Sequence, residues 1–409
     1  MHIPPIELNG FRVITGGVLA PRGFIGGGVA AGIKPTGALD LGAILSSCGP
    51  CVSAATFTTN RVRGASVQIN EARLKKKSAR GIVFNSGNAN TYTGDGGCED
   101  AEMFINAFAR QFDVPEDEVL VASTGVIGFR LPMKKILDGI SVLDLCEVHG
   151  EAVATAMLTT DVVPKAIAIE IPTSEGRIRI GGAAKGAGMV HPNMATMFAF
   201  LTTDAEIKGA HLQRLFSAAV DASFNLISID GDQSTSDTAL LLANGASKSG
   251  LIEEGTSDDE SFARGLDGVC QWLAREIVRG GEGVTKLMTV VVTGARDTAS
   301  ARQAARVITA SNLVKTAVHG GDPNWGRVVM ALGNSGIDFD PTVIDVMIGE
   351  TCVVKSGQRT NYEEAIVAGH LKEIEVRISV ELNLGDVSAT AWGGDLSAEY
   401  VAINSEYMT

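Results

Sequence analysis

Along the chain, short apolar runs alternate with stretches whose apolar positions recur every three or four residues, and the two periods separate strands from helices. Strand-like runs rich in β-branched and apolar residues fall at 52–58, 81–84 and 118–122, each closing on small or polar residues. Helical spacing marks 100–112 and 148–157, followed by two short strands at 166–171 and 177–180. A glycine-rich passage, GGAAKGAGMVHPN, then runs straight into the apolar segment 197–201, which reads as a buried strand. The second half repeats the mixture. It predicts helices at 211–223, 259–278 and 300–309, and strands at 238–242, 287–293, 373–381 and 386–392. Polar stretches at 247–257 and 294–299 read as surface turns. The pattern is mixed α/β, with sheets covered by helices, and no break divides it into independent domains.

Composition narrows the class. Of 409 residues, 45% are hydrophobic and 20% charged, enough apolar surface for a large core without disulfide or metal staples. The formal charge of −13 repels phosphate backbones and anionic headgroups, so neither nucleic acid nor a membrane is an expected partner. The N-terminal stretch MHIPPIELNGFRV lacks the basic start and apolar core of a signal peptide, and no apolar run is long enough to span a bilayer. Six scattered cysteines in such a chain read as reduced thiols, and the expected compartment is the cytoplasm. Glycine is abundant (48 residues), which suits tight turns and close backbone approaches.

Two motifs are weaker than they look. Cys48 and Cys51 have thioredoxin-like spacing, but redox chemistry needs the first thiol at a helix start, and CVSAATFTTN after the pair is strand-like. The cluster GFIGGGVAAG is bracketed by Pro21 and Pro35, and reads as a glycine turn that allows tight packing rather than a dinucleotide site. The six histidines never pair at metal-ligand spacing, and neither HExxH nor GxSxG occurs. No metal is expected.

The strongest local signal is KGAGMVHPNMATMFAFLTTD (185–204). Thr196 stands between a glycine-rich stretch and a core strand, with small Ala195 leaving its own carbonyl open to attack. A hydroxyl there can cut the preceding peptide bond. The freed α-amine, with an ordinary pKa of about 7.7–8.0, then serves as that hydroxyl's own base. The plainer alternative is a threonine on a strand. NSGNANTYTGDGG (85–97), VASTGVIG (121–128), TTDVVPK (159–165), GEGVTK (281–286) and HGGDPNWGR (319–327) gather small polar groups suited to an anion or a carbonyl oxygen. Each alone is an ordinary turn.

Taken together and in order, these segments resemble the ornithine acetyltransferase (glutamate N-acetyltransferase) family of arginine biosynthesis, from GVAAGIKPTGALDL to the terminal INSEYMT. The resemblance implies an αββα sandwich that cleaves itself between Ala195 and Thr196. Residues 1–195 become an α chain and residues 196–409 a β chain, assembled as an α2β2 heterotetramer. It implies that Thr196 is the nucleophile, acetylated by N-acetylornithine and deacetylated by glutamate in a ping-pong cycle. The oxyanion pair falls on Thr124 and Gly125, and substrate contacts on Thr159, Lys185, Thr196, Glu282, Asn404 and Thr409. Lys185 suits a substrate carboxylate and Glu282 an ammonium group. No bound cofactor is implied; acetyl-CoA is a candidate second donor.

Gln233 and Ser236 stand where the family often has Thr and Asn, Phe129 where a polar residue is common, and Gly394 where Cys is frequent. None falls on a mapped contact, though each bears on acceptor preference. The rivals are a self-processing amidohydrolase or aminopeptidase, in which water replaces glutamate, and a non-catalytic binding homologue. A cysteine redox protein is more distant.

Overall fold

A computed structural model describes residues 8, 10–76, 78–191 and 197–406. Two sheets stack face to face. The smaller runs in the order Phe24–Val29, Leu41–Ser46, Gly81–Asn88, Val119–Val126, and its last two strands are parallel. The larger has seven strands, with Lys165–Thr173, Gly176–Lys185, Phe198–Thr203, Thr238–Ala243 and Cys51–Phe57 adjacent in that order.

Strand alternation sends each set of side chains to its own layer. Phe198, Phe200, Leu240 and Leu242 of the larger sheet meet Ile44, Ile82, Phe84 and Leu120 of the smaller one between the sheets. Ala199, Leu201, Ala239 and Leu241 point the other way, into a core shared with Phe216, Phe262, Leu266 and Leu273. Those four come from the outer helices Gly209–Asp221 and Ser257–Arg279. Ala65–Arg73, Gly94–Gln111 and Met133–Val142 cover the far face of the smaller sheet. The result is an αββα sandwich. Each fully buried phenylalanine in the middle layer contributes ~1.5–3 kcal/mol by leaving water.

A third sheet follows in the C-terminal part, seven strands including Ile227–Ser228, Val387–Gly394, Leu287–Ala295 and Glu375–Glu381. The long helix Ser257–Arg279 packs on both seven-stranded sheets, so a single core runs through them. Lys315 is completely buried and braces two neighbouring strands of this third sheet, donating to the carbonyls of Ser228 at 3.0 Å and Gly394 at 2.6 Å. Burial lowers its ammonium to about 8. Among the described residues, no helix is long and apolar enough to cross a membrane.

Every strand and helix expected from the pattern forms, shifted by a few residues at its ends. Two readings are corrected. The polar stretch 247–257 is not simply a surface turn, since it holds the short strand Leu251–Ile252 with Ser247, Ser249 and Ile252 buried. The glycine cluster is the other. Residues 24–29 are a strand paired antiparallel with Leu41–Ser46, not a turn, though the expected tight packing holds: a Cβ on Gly27 would sit 2.0 Å from the Asp144 carbonyl oxygen and one on Gly28 2.5 Å from that of Ala152. Glycine here removes side chains so that a helix, Gly150–Met157, can lie against the sheet. Leu41–Ser46 is buried at all six positions and legible by neither period, since LGAILS mixes glycine, alanine and serine into a short apolar run. Cys48 and Cys51 are free thiols, and Cys51 opens a strand as expected. Burial pushes its thiol up to about 12, so it stays protonated.

Candidate active site

Three strands of the sandwich deliver residues to one end. Gly81–Asn88 and Val119–Val126 run parallel and finish there, and Gly176–Lys185 finishes on the facing sheet. Antiparallel register sets Lys185 opposite Phe198, so the chain leaves the sheet at residue 185 and re-enters at 198. Ala195 and Thr196 fall between those points, and they lie outside the described residues, as does Thr409. Met197, the next residue in the chain, donates its N–H to Asp237 Oδ1 at 2.9 Å.

Beside this re-entry point opens a cleft lined by Thr124, Gly125, Thr159, Lys185, Glu282 and Asn404, which is every mapped position among the described residues. They come from five separate stretches of chain. Gly125 has φ +128°, and a Cβ there would lie 2.4 Å from the Gly87 carbonyl carbon, so only glycine fits beside the neighbouring strand. Thr124 is buried, and its Oγ1 accepts from Lys185 Nζ at 3.4 Å. Lys185 is 1% exposed, and that bond directs its ammonium at Thr124.

Glu282 forms the opposite wall. Its carboxylate accepts from Thr160 Oγ1 at 2.5 Å and Asn404 Nδ2 at 2.8 Å, and its N–H donates to Ala187 O at 2.8 Å. A Cβ on Gly188 would come within 2.5 Å of that carboxylate, so the glycine leaves it room. An ionised carboxylate has about four acceptor sites, which leaves capacity for a ligand ammonium. The loop bearing Glu282 is fixed by buried Asp395, which accepts from the N–H groups of Thr285 and Lys286 at 2.7 and 2.8 Å and from His319 Nδ1 at 2.7 Å. Asp230 holds the glycine-rich passage in the same way, accepting from the N–H groups of Met189 at 2.5 Å and Val190 at 2.9 Å.

Buried charge underlies the cleft. Asp161 Oδ1 accepts from Lys165 Nζ at 2.5 Å and Gly186 N–H at 2.8 Å. Burial alone would raise the Asp161 carboxyl, but Lys165 and Lys185 outweigh it and hold the group at about 2. Burial drives Asp237 well above the carboxylate range, only partly offset by the Met197 N–H and the Lys185 charge. Burial also lowers Lys185, opposed first by Asp161.

Some candidates do not reach the cleft. Of NSGNAN only Ala89 lines it; Asn85 and Asn88 donate to the carbonyls of Asn88 and Arg130, bracing the strand end. HGGDPNWGR joins two helices elsewhere, Asn312–Gly320 and Gly326–Gly333. Among the atypical residues, Gln233 bonds Thr59 at 2.8 Å, Phe129 is exposed, and Gly394 supplies the carbonyl held by Lys315. Ser236 does line the cleft, as do Ser234 and Thr235. Residue-by-residue reading did not single out Thr160, Asp161, Lys165 or Asp237. TTDVVPK and GDQSTSDT mark their neighbourhoods, but nothing local says that those carboxylates are buried.

The architecture is a double sheet covered by helices on both outer faces, with the mapped residues gathered in one cleft at its end. The chain belongs to the ArgJ family, whose model matches residues 26–409. It is 46% identical over 396 residues to the arginine biosynthesis bifunctional protein ArgJ of Dehalococcoides mccartyi, covering 96% of this chain and 98% of that one. The protein of the same name from Caldanaerobacter subterraneus is 44% identical, covering 97% and 100%. A crystal structure of ArgJ from Bacillus halodurans superposes with a TM-score of 0.50 at 39% identity, covering 51% of this chain and 98% of that one.

Proposed function

We propose that this chain is an acetyltransferase of arginine biosynthesis that matures by cutting itself between Ala195 and Thr196, then moves acetyl from N-acetylornithine to glutamate. The observation that carries the reading is convergence. Six positions scattered from 124 to 404 line one cleft, and that cleft opens where the chain re-enters the sheet just after Thr196. The half-length Bacillus halodurans polypeptide, itself 98% covered, has the size of one product of a cut near the middle.

In this reading the Thr196 hydroxyl attacks the acetyl carbonyl, and its proton passes to the Thr196 α-amine. The Thr124 hydroxyl and the Gly125 amide receive the charge that develops on the carbonyl oxygen. Collapse breaks the C–N bond, and the amine of ornithine leaves with that proton. The glutamate amine then attacks the acetyl ester, and Thr196 regains its proton as N-acetylglutamate departs. Glu282, braced by Thr160 and Asn404, faces the side-chain ammonium of the donor. Ser236, where the family often carries Asn, is placed to tune the acceptor. Thr409 completes the substrate contacts. The reading calls for no bound cofactor, with acetyl-CoA as a second acetyl donor, and it extends to a cytoplasmic α2β2 assembly.

The test measures ornithine release from N-acetylornithine by the matured protein with and without glutamate, and N-acetylglutamate formation from acetyl-CoA. Release that depends on glutamate supports transfer; equal release in buffer would make the protein a hydrolase of the aminopeptidase kind. The cysteine pair serves as a control. Cys48→Ser and Cys51→Ala are each expected to leave the rate within about twofold of the parent, since neither thiol reaches the cleft. A collapse of activity in Cys48→Ser would revive the redox alternative.

A further inference from the structure

Thr124 Oγ1 meets Lys185 Nζ at 3.4 Å, and the direction of that bond matters. A hydroxyl has one hydrogen to donate and two lone pairs, while an ammonium can only donate. If Lys185 is an ammonium, Thr124 must accept from it, and the Thr124 hydrogen is left to point into the cleft. A neutral amine could accept that hydrogen instead and turn it away. The charge on Lys185 therefore decides whether Thr124 is an oxyanion donor.

The groups facing Lys185 come from several elements. The carboxylates of Asp161 and Glu282 favour its ammonium form and Lys165 opposes it, while Asp237, whose carboxyl burial pushes well above the usual range, faces it with little negative charge. Lys34, whose stem lies beside Gly87, is a second opposing cation. Asp161 is the most firmly placed of the carboxylates. Its Oδ2 accepts from Thr159 N–H at 3.2 Å, and its Oδ1 is held by the N–H of Gly186, the residue directly after Lys185. Lys165 also bonds that Oδ1, at 2.5 Å, with both side chains almost wholly buried. The ammonium of Lys165 rests near Gly280, at the C-terminal end of Ser257–Arg279, where the helix dipole is negative. The helix end offsets part of the Lys165 charge, which weakens the repulsion between Lys165 and Lys185.

We propose that Asp161 and Lys165 are positioning residues that set Lys185 as an ammonium donor to Thr124 Oγ1, turning the Thr124 hydrogen toward the oxyanion. The inference rests on the reading of Thr124 as an oxyanion donor, and it gives Lys185 this role instead of gripping a substrate carboxylate.

The two variants must act in opposite directions. Asp161→Asn removes the anion that supports the ammonium, so the alkaline limb of the kcat profile should move to lower pH, by about one to three pH units. Lys165→Met removes an opposing cation, so the limb should move to higher pH. KM for N-acetylornithine should stay within about twofold in both. In protein labelled with 13C-lysine, the Lys185 Cε resonance should titrate with the same two displacements. A purely structural role would lower activity without parting the limbs. Circular dichroism melts and N-terminal sequencing establish that each variant is folded and matured. If Asp161→Asn does not fold, Asp161→Asn/Lys165→Met carries the test, with its limb expected below that of Lys165→Met. Limbs that coincide, or that move the same way, overturn the inference. Wild-type transfer by Thr124→Ala would instead overturn the underlying reading, whatever the limbs do.

Discussion

Thr196→Ala is expected to run as one uncut chain of 42.6 kDa, and to transfer acetyl at least about 10⁴-fold more slowly than the parent. The parent should run as two fragments of about 20 and 22 kDa, the second beginning at Thr196. One substitution would remove two functions because, in the proposed mechanism, the same oxygen attacks the Ala195 carbonyl before maturation and carries the acetyl group afterwards. Thr196→Ser keeps a hydroxyl and should still cut and transfer, which separates loss of the nucleophile from damage to the strand. The strand itself should tolerate the change, since Phe198–Thr203 is held by partners on both sides and by the Met197 bond to Asp237. Denaturing electrophoresis, N-terminal sequencing and the glutamate-dependent assay read all three outcomes. A Thr196→Ala protein that is cut and active would refute the proposal.

Thr124→Ala should lower kcat by about 10²–10³ while leaving the fold intact, and should slow self-cleavage as well. In the proposed mechanism both reactions pass through a tetrahedral oxyanion at the same place. KM should change little, because a donor aimed at developing charge adds little to the ground state. The substitution removes only a hydroxyl and a methyl at a strand end. Gly125 offers no equally clean probe, because any Cβ there collides with Gly87. Thr124→Ser restores the hydroxyl and should recover most of the loss. Stopped-assay kinetics on matured protein, with maturation followed separately over time, distinguish the two effects. Unchanged kcat in Thr124→Ala would remove this residue from the oxyanion pair.

The layers of this molecule were visible in its pattern wherever one face of a strand differed from the other. Phe198 and Phe200 alternate with Ala199 and Leu201, and the bulky pair fills the space between sheets while the other pair meets helices. Leu41–Ser46 goes unread although equally buried strands such as Phe198–Thr203 were legible, because LGAILS breaks its apolar residues with glycine, alanine and serine. The glycines at 26–28 misled in another way. Their purpose is to admit a helix and a loop from elsewhere in the chain, and a local reading sees only freedom to turn.

The chain alone identified which residue types could perform self-cleavage and acyl transfer, because those demands are local: a hydroxyl, a small neighbour, and an amine created by the cut. Ordered motifs extended this to Thr124, Gly125, Thr159, Lys185, Glu282 and Asn404. Folding alone decided that these six share one cleft, that Lys185 addresses Thr124, and that Asp161 and Lys165 stand behind it. Those are relations between side chains far apart in the chain, set by strand register and by desolvation. Burial turns a carboxylate and two lysines, ordinary on a surface, into a coupled set whose charges govern one another.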